Sequence, residues 1–523
     1  MQVPDSTQTM IGHDTSGADT LRGARDLTRD VVAFTRHRTK QYNRARSSLR
    51  DLFIDVYSNA LALACVATMA ASLVFALRDE IAGQDLNGAR LTAARWQVLP
   101  AEFRWMALTY LALIGILLMA RRLGPVTVSR AEAAWWLPLP IDRRPMVLPP
   151  FRRRLVAFGA AASIAYLPFS LLTGIDRSAW AHAISAGTFG VGVVLAVTSA
   201  AALQLNPQSS RLIRAVCFVG FTPVAVLPFL APAIWPLVVV LIGAVILIVY
   251  VLPRAGDVDG ADLQRGGSVS GHAGASVFFM DFNELRRALA AAPRLPSSRR
   301  GSRFYAWPTR WAFSAVVRAD IVVFLRLQPP PTGPVVWLVI CVCAALITPA
   351  LPAVLQLGVI LIGGCVTAAG TGTVARRTAV VAGLDALVPV SSTQLRCSRM
   401  LMPALTMAAW MGALTAVFVV LGSTDPSLML LGVIAGLGMG AGAVRAATRP
   451  PTDWTTPPVE TPFGSIPRDQ ASSLLRGTDM TVLAMIPVLL TLYLGTVHPW
   501  LILTQCIASL IAITVQASTP TER

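Results

Sequence analysis

The feature that most constrains this chain is a series of apolar runs, several of them with windows of about 18 to 22 residues that carry no charge, the length needed to cross about 30 Å of hydrocarbon. Twelve spanning runs are read in all, at about 56–77, 104–120, 155–172, 183–205, 215–230, 232–252, 334–351, 354–372, 400–421, 427–444, 480–496 and 499–516. Hydrophobic residues make up 54% of the 523 and charged residues only 14%, against roughly a quarter charged in soluble proteins. The expected fold is all-α, a polytopic membrane protein of about twelve transmembrane helices. The second run is the odd one, its uncharged stretch short, and Trp105 and Tyr110 are read as its interface anchors. The first 55 residues are polar and basic without an apolar core segment, so no cleavable signal peptide is expected.

Orientation follows from the arginines, because short basic loops stay on the cytoplasmic side. The tail 1–55 and the loops 121–154, 206–214, 253–333, 373–399 and 445–479 fall on one face with the C-terminus and hold 39 of the 44 basic residues. The other face holds Arg78, Arg90, Arg95, Arg104 and Arg177, set against six acids. Both termini are therefore expected in the cytoplasm, in a multi-pass protein of the cell membrane. The formal charge of +17 reads as a topology signal around a lipid bilayer, and nucleic-acid binding is not expected of charges dispersed in this way.

Between the second and third runs the chain reads AEAAWWLPLPIDRRPMV, residues 131–147. Pro138 and Pro140 stop the preceding helix from continuing, and Trp135 with Trp136 suits an interfacial position. What remains is a short rigid knuckle ending in Asp142, Arg143 and Arg144, or else a plain connecting loop. After the eighth run the chain reads AVVAGLDALVPVSSTQLRCSRML, and placing Pro138 on Pro389 aligns LPLP with VPVS, with Glu132 and Asp385 upstream. SSRLIRA (209–215) before the fifth run likewise echoes ASSLLRG (471–477) before the eleventh. The expected organisation is two parallel six-helix repeats: a basic tail 1–55 with an interfacial helix, a first half 56–252, a cytoplasmic linker 253–333, a second half 334–516 and a tail 517–523. An amphipathic segment leads into each half, Val31 to Phe53 in the first and Trp307 to Phe324 in the second. Each lies in the headgroup layer or is a solvated, orienting stretch. In the linker, GADLQRGGSVSGHAGAS reads as flexible, and MDFNELRRALAAAP as a short helix with Asp281 as N-cap, Glu284 at N3 and Pro293 as its stop.

Six runs per half, an amphipathic lead-in and the acid-aromatic-LPLP-basic segment resemble the permease subunits of ABC-2-type exporters. The whole chain is similar to an uncharacterised actinobacterial family of ABC-permease-like membrane proteins. In the exporters this loop is a coupling helix that docks on a cytosolic ABC ATPase subunit. The resemblance implies docking by Glu132, Trp135, Trp136, Pro138, Pro140, Asp142, Arg143 and Arg144, with Asp385 and Pro389 as the second copy. That copy lacks both tryptophans and the arginine pair. The implied function is the membrane component of an ATP-driven exporter. A permease-derived scaffold or regulator that does not transport, and a stand-alone secondary transporter, remain alternatives.

Lys40 is the only lysine and has no glycine-rich surroundings, so the chain has no Walker A site; ATP would bind on the partner, and no cofactor or enzymatic activity is expected of this chain. Five histidines without HExxH, and no GxSxG elbow, argue against hydrolysis. No run carries a central ionisable residue, and His182 and His498 are read as loop residues at the outer edges. Seven scattered cysteines without a CxxC pair read as buried apolar thiols. Gly432 with Gly436, and Gly438 with Gly442, have the spacing that lets helices pack closely.

Overall fold

A computed structural model describes residues 101–139, 142–173, 177–206, 234–278, 311–327, 332–346, 353–379, 387–421, 425–449 and 476–518, a hairpin at 459–461 and 464–466, and scattered positions elsewhere. Apart from the turns and loops that join them, the described elements are helices except for that hairpin, an antiparallel pair Val459–Thr461 and Gly464–Ile466. Ten of the expected runs are helices. The runs 56–77 and 215–230, the short helix at 281–293 and the SSRLIRA echo lie outside the described residues, apart from isolated positions; of the first amphipathic lead-in, residues 30–35 and 37–42 are described and are helical, with Val32 buried and Val31 and Phe34 exposed.

The chain divides into two compact units, one of residues 1–76 and 113–271, the other of 77–112 and 272–523. Helix α1, Ala101–Leu123, ends on Arg121 and Arg122, favourably placed against the negative end of its dipole. Within it Trp105 is buried and its carbonyl accepts from the Thr109 hydroxyl. A short helix α2, Arg130–Trp136, follows, then α3, Arg144–Thr173, and α4, Ala179–Leu205. Helices α3 and α4 pack as an antiparallel pair, with α4 also against α5, Trp235–Val251. A 3-10 turn, Leu252–Asp257, leads to α6, Gly260–Phe278.

Helix α6 overturns the flexible reading of 260–276. Leu263, Gly266, Gly267 and Ala273 are buried at helical spacing. A Cβ on Gly267 would lie 1.7 Å from the Val128 carbonyl oxygen, and one on Gly266 would lie 2.6 Å from the Thr127 methyl. These glycines make a contact face that admits another backbone, so a composition that suggests a linker builds a packed helix.

In the second unit α7, Ala312–Leu327, precedes α8, Thr332–Leu346, and α9, Ala353–Thr371. Then come the short α10, Thr373–Thr378, the long α11, Ser392–Val420, and α12, Ser427–Ala447. Helices α13, Thr478–Leu494, and α14, Pro499–Ser518, complete it. Helix α12 is the axle of this unit, packing against α9, α11, α13 and α14. Its glycines serve two faces. A Cβ on Gly436 would meet Ala408 backbone at 2.4 Å and one on Gly440 the Ala404 Cα at 2.3 Å, both on α11. Gly438 and Gly442 instead face Ala484, Ser509 and Thr481 of α13 and α14. Lipid tails are as apolar as leucine, so such close backbone approach and interhelical hydrogen bonds hold helices together in a bilayer. Gln505 donates to the Ala484 carbonyl at 2.8 Å, and Ser509 to that of Ile434 at 2.9 Å.

Among the described residues, eight helices are long and apolar enough to cross a bilayer, and Gly333–Leu346 and Thr478–Leu494 are shorter apolar ones. On α5, Val238, Val239, Leu241, Ile242, Val245, Ile246 and Val249 are all exposed, a surface that only lipid covers favourably. The protein is an all-α polytopic membrane protein. Cys341 is buried, whereas Cys397 and Cys506 are exposed on their helices. His498 is in a loop, but His182 is not: Ser178 caps α4 four residues earlier, and His182, 5% exposed, shares a 2.9 Å hydrogen bond between its Nδ1 and Ser170 Oγ on α3.

Candidate functional site: the loops that head the long helices

The first loop stands on a rigid strap. Residues 125–128, between α1 and α2, are buried and form neither helix nor strand. Such backbone cannot satisfy itself, and here the side-chain amide of Gln204, at the end of α4, supplies partners. Its Oε1 accepts from Val126 N at 3.3 Å and its Nε2 donates to Val126 O at 3.1 Å. The Arg154 guanidinium of α3 donates to the Thr127 hydroxyl, and the α6 glycines close over Thr127 and Val128.

The strap delivers the chain into α2 through a capping box. Ser129 Oγ accepts from Glu132 N at 3.2 Å, and Glu132 Oε2 accepts from Ser129 N at 2.9 Å. Glu132 thus fixes the start of α2. Trp135, at its end, is 77% exposed, Trp136 is half-buried, and Pro138 and Leu139 are exposed. Pro140 lies outside the described residues. Asp142 Oδ1 accepts from Arg144 N at 3.0 Å, which starts α3.

Arg143 and Arg144 are half-buried and turn toward their own chain. A Cβ on Gly256 would touch the Arg144 stem at 2.6 Å, one on Gly260 would lie 3.5 Å from the Arg143 guanidinium, and Arg144 reaches Asp257 at 3.9 Å. Among the described residues, the exposed side chains at the end of α2 and just after it are therefore apolar: Trp135, Pro138 and Leu139.

The second loop is built differently. Asp385 does not project; it forms a two-pronged ion pair with Arg399 of α11, with Nη1 to Oδ2 at 2.8 Å and Nη2 to Oδ1 at 2.5 Å. Pro389 is exposed and Leu387 is 78% exposed. A second capping box, between Ser391 and Gln394, starts α11. Next to the ion pair, the Ser398 hydroxyl donates to Asp320 Oδ2 of α7 at 2.5 Å. Burial is the largest influence on Asp320 and raises its carboxyl above the ordinary value.

Residues 97–457 match the model of a family of unknown function, DUF6297. The chain belongs to that family. No curated protein matches the chain, and no solved structure does. The DUF6297 match takes in both loops, the strap, α6 and the Asp320–Arg399 group.

Sequence reading found Glu132, the tryptophans and Asp385 but missed what holds them. Gln204, Arg154 and the α6 glycines lie far along the chain from the strap in DUF6297 order. Arg399 carried a visible signal: an arginine within α11, two turns past its capping box, needs a counter-ion if it is not to be left buried and unpaired. No group of three or more His, Cys, Asp or Glu side chains is gathered as for a metal ion among the described residues.

Proposed function

We propose that this protein is the membrane permease subunit of an ATP-driven ABC-type exporter, with its ATPase on a separate cytosolic chain. The observation that carries the reading is the first loop: a capped helix, braced on a buried strap, that presents Trp135, Pro138 and Leu139 outward a few residues before the long α3 begins. Force applied to such a knuckle passes into a membrane helix instead of being absorbed by loose chain. The full reading has twelve spans in two parallel six-helix repeats, both termini in the cytoplasm, and docking after the second and eighth spans. Two features support the repeat. Each loop is followed by a helix of matching length, 30 residues in α3 and 29 in α11, and each of these pairs with the next helix. ATP binds the partner chain in this reading, and this chain needs no cofactor of its own.

The second loop argues for unequal roles. It lacks tryptophans, and its acid is committed to Arg399, so the first loop is the principal docking point. The same inequality is what a scaffold or regulator descended from a permease would display, and that is the rival reading. Mild-detergent purification of the tagged full chain from its native host, with mass spectrometry of what accompanies it, separates them. The exporter reading expects a stoichiometric P-loop ATPase that is lost in Trp135→Ser and weakened in the paired Arg143→Glu, Arg144→Glu variant. Recovery without any ATPase, under conditions that keep a known ABC complex whole, would remove the exporter reading.

A further inference from the structure

We propose that Asp320, Ser398, Arg399 and Asp385 form a proton-operated latch that fastens the amphipathic helix α7 to the head of α11 and, through Asp385, to the second loop. This is independent of the exporter reading, since it concerns only groups within one unit of the fold.

The geometry brings three elements to one point. Ser398, 1% exposed, donates to Asp320 of α7 at 2.5 Å. Its neighbour Arg399, with a side chain only 9% exposed, holds Asp385 with both terminal nitrogens, while its Nε is buried without a hydrogen-bond partner. Asp320 thus lies beside an ion pair in which Asp385 already balances Arg399, and with both carboxylates ionised the group carries one uncompensated negative charge. Holding such a charge in a partly buried place is unfavourable, and taking up one proton from solvent on Asp320 makes the group neutral.

The charged groups acting on Asp320 are Arg399 of α11, which favours its ionised form, and Asp385 of the loop, which opposes it. Helix α10, the other helix against α7, carries Arg376, whose guanidinium goes to the Ala369 carbonyl at 3.0 Å, and the exposed Arg377. Burial outweighs the Ser398 hydrogen bond and Arg399, so the carboxyl titrates above the ordinary range. A carboxyl whose pKa is raised by folding contributes stability that is fully present below its ordinary pKa and is lost as pH rises through the raised value. Acid therefore closes the latch and rising pH loosens it. Helix α7 is built for such movement: Val322 and Phe324 are buried, whereas Trp311, just ahead of it, and Leu325 are exposed, as for a helix that lies in the headgroup layer.

The test is hydrogen exchange of the full chain in nanodiscs, followed on the peptide covering 312–327 across acidic to neutral pH and corrected for intrinsic exchange. In the parent protein protection of α7 should fall as pH rises, by about tenfold for each unit by which Asp320 is raised, while α12 stays protected. Asp320→Asn, neutral at every pH and still able to hydrogen-bond Ser398, should hold α7 at its acid level throughout. Ser398→Ala, which keeps the ion pair, should lower α7 protection at every pH. Protection of α7 that does not change with pH in the parent, or an Asn variant that keeps the parent's pH dependence, would overturn the latch.

Discussion

At Gly267 a missing methyl group decides how the first loop is built. Helix propensity favours alanine there by about 1 kcal/mol, yet the added carbon would meet the Val128 carbonyl at 1.7 Å. Gly267→Ala should therefore destabilise by about 1–3 kcal/mol, the usual cost of overpacking, read as a lowered melting temperature in detergent. Gly271, on the same helix, has open space where its Cβ would go. Gly271→Ala should stabilise by about 0.5–1 kcal/mol, so the two substitutions are expected to have opposite signs. This pair also explains a failure of legibility. Composition cannot distinguish a glycine that frees the backbone from one that only makes room, so 260–276 reads as a linker although it is a packed helix. Glu132 and Asp385 were legible as singular acids near a proline turn. What each carboxylate holds was not: one accepts from the backbone three residues before it, the other pairs with a guanidinium from the next helix.

Among the elements, the strap 125–128 depends most on a single distant partner. Gln204→Leu would leave the Val126 N–H and C=O without their partner, at about 1–3 kcal/mol for each buried group. The expected result is a clear loss of thermal stability together with increased hydrogen exchange in 124–136. Unchanged exchange there would mean that the strap is held by its apolar side chains alone. The apolar runs were legible at this scale because charge-free stretches of membrane length have few alternatives, and their ends fall close to the helices found. Helix starts were less legible. Helix α3 begins at Arg144, well before its charge-free part, because Asp142 caps it and Arg152, Arg153 and Arg154 lie on helical turns outside the apolar window. Helix α11 is extended in the same way by its Ser391–Gln394 capping box.

For the whole molecule, the distribution of arginine makes a topology prediction independent of any transport function. A fluorescent protein fused after Arg523 should fold and emit, and alkaline phosphatase fused there should be inactive, since both report a cytoplasmic C-terminus. The reverse pattern would invert every loop assignment, including that of the proposed docking surface. Hydropathy by itself determined that the chain is helical and membrane-spanning, because a bilayer leaves backbone polar groups few other ways to be satisfied. Charge segregation predicts an orientation by the same kind of argument, a sum over many residues that tolerates local error. The tertiary structure decided which residues of the two loops are occupied by their own fold and which face outward. It turned Arg143 and Arg144 toward Gly256 and Gly260, left Trp135 exposed, and gathered Asp320, Ser398, Arg399 and Asp385 at one point. Those outcomes depend on single contacts between residues distant in the chain, and no local pattern of sequence carries the distance between two side chains.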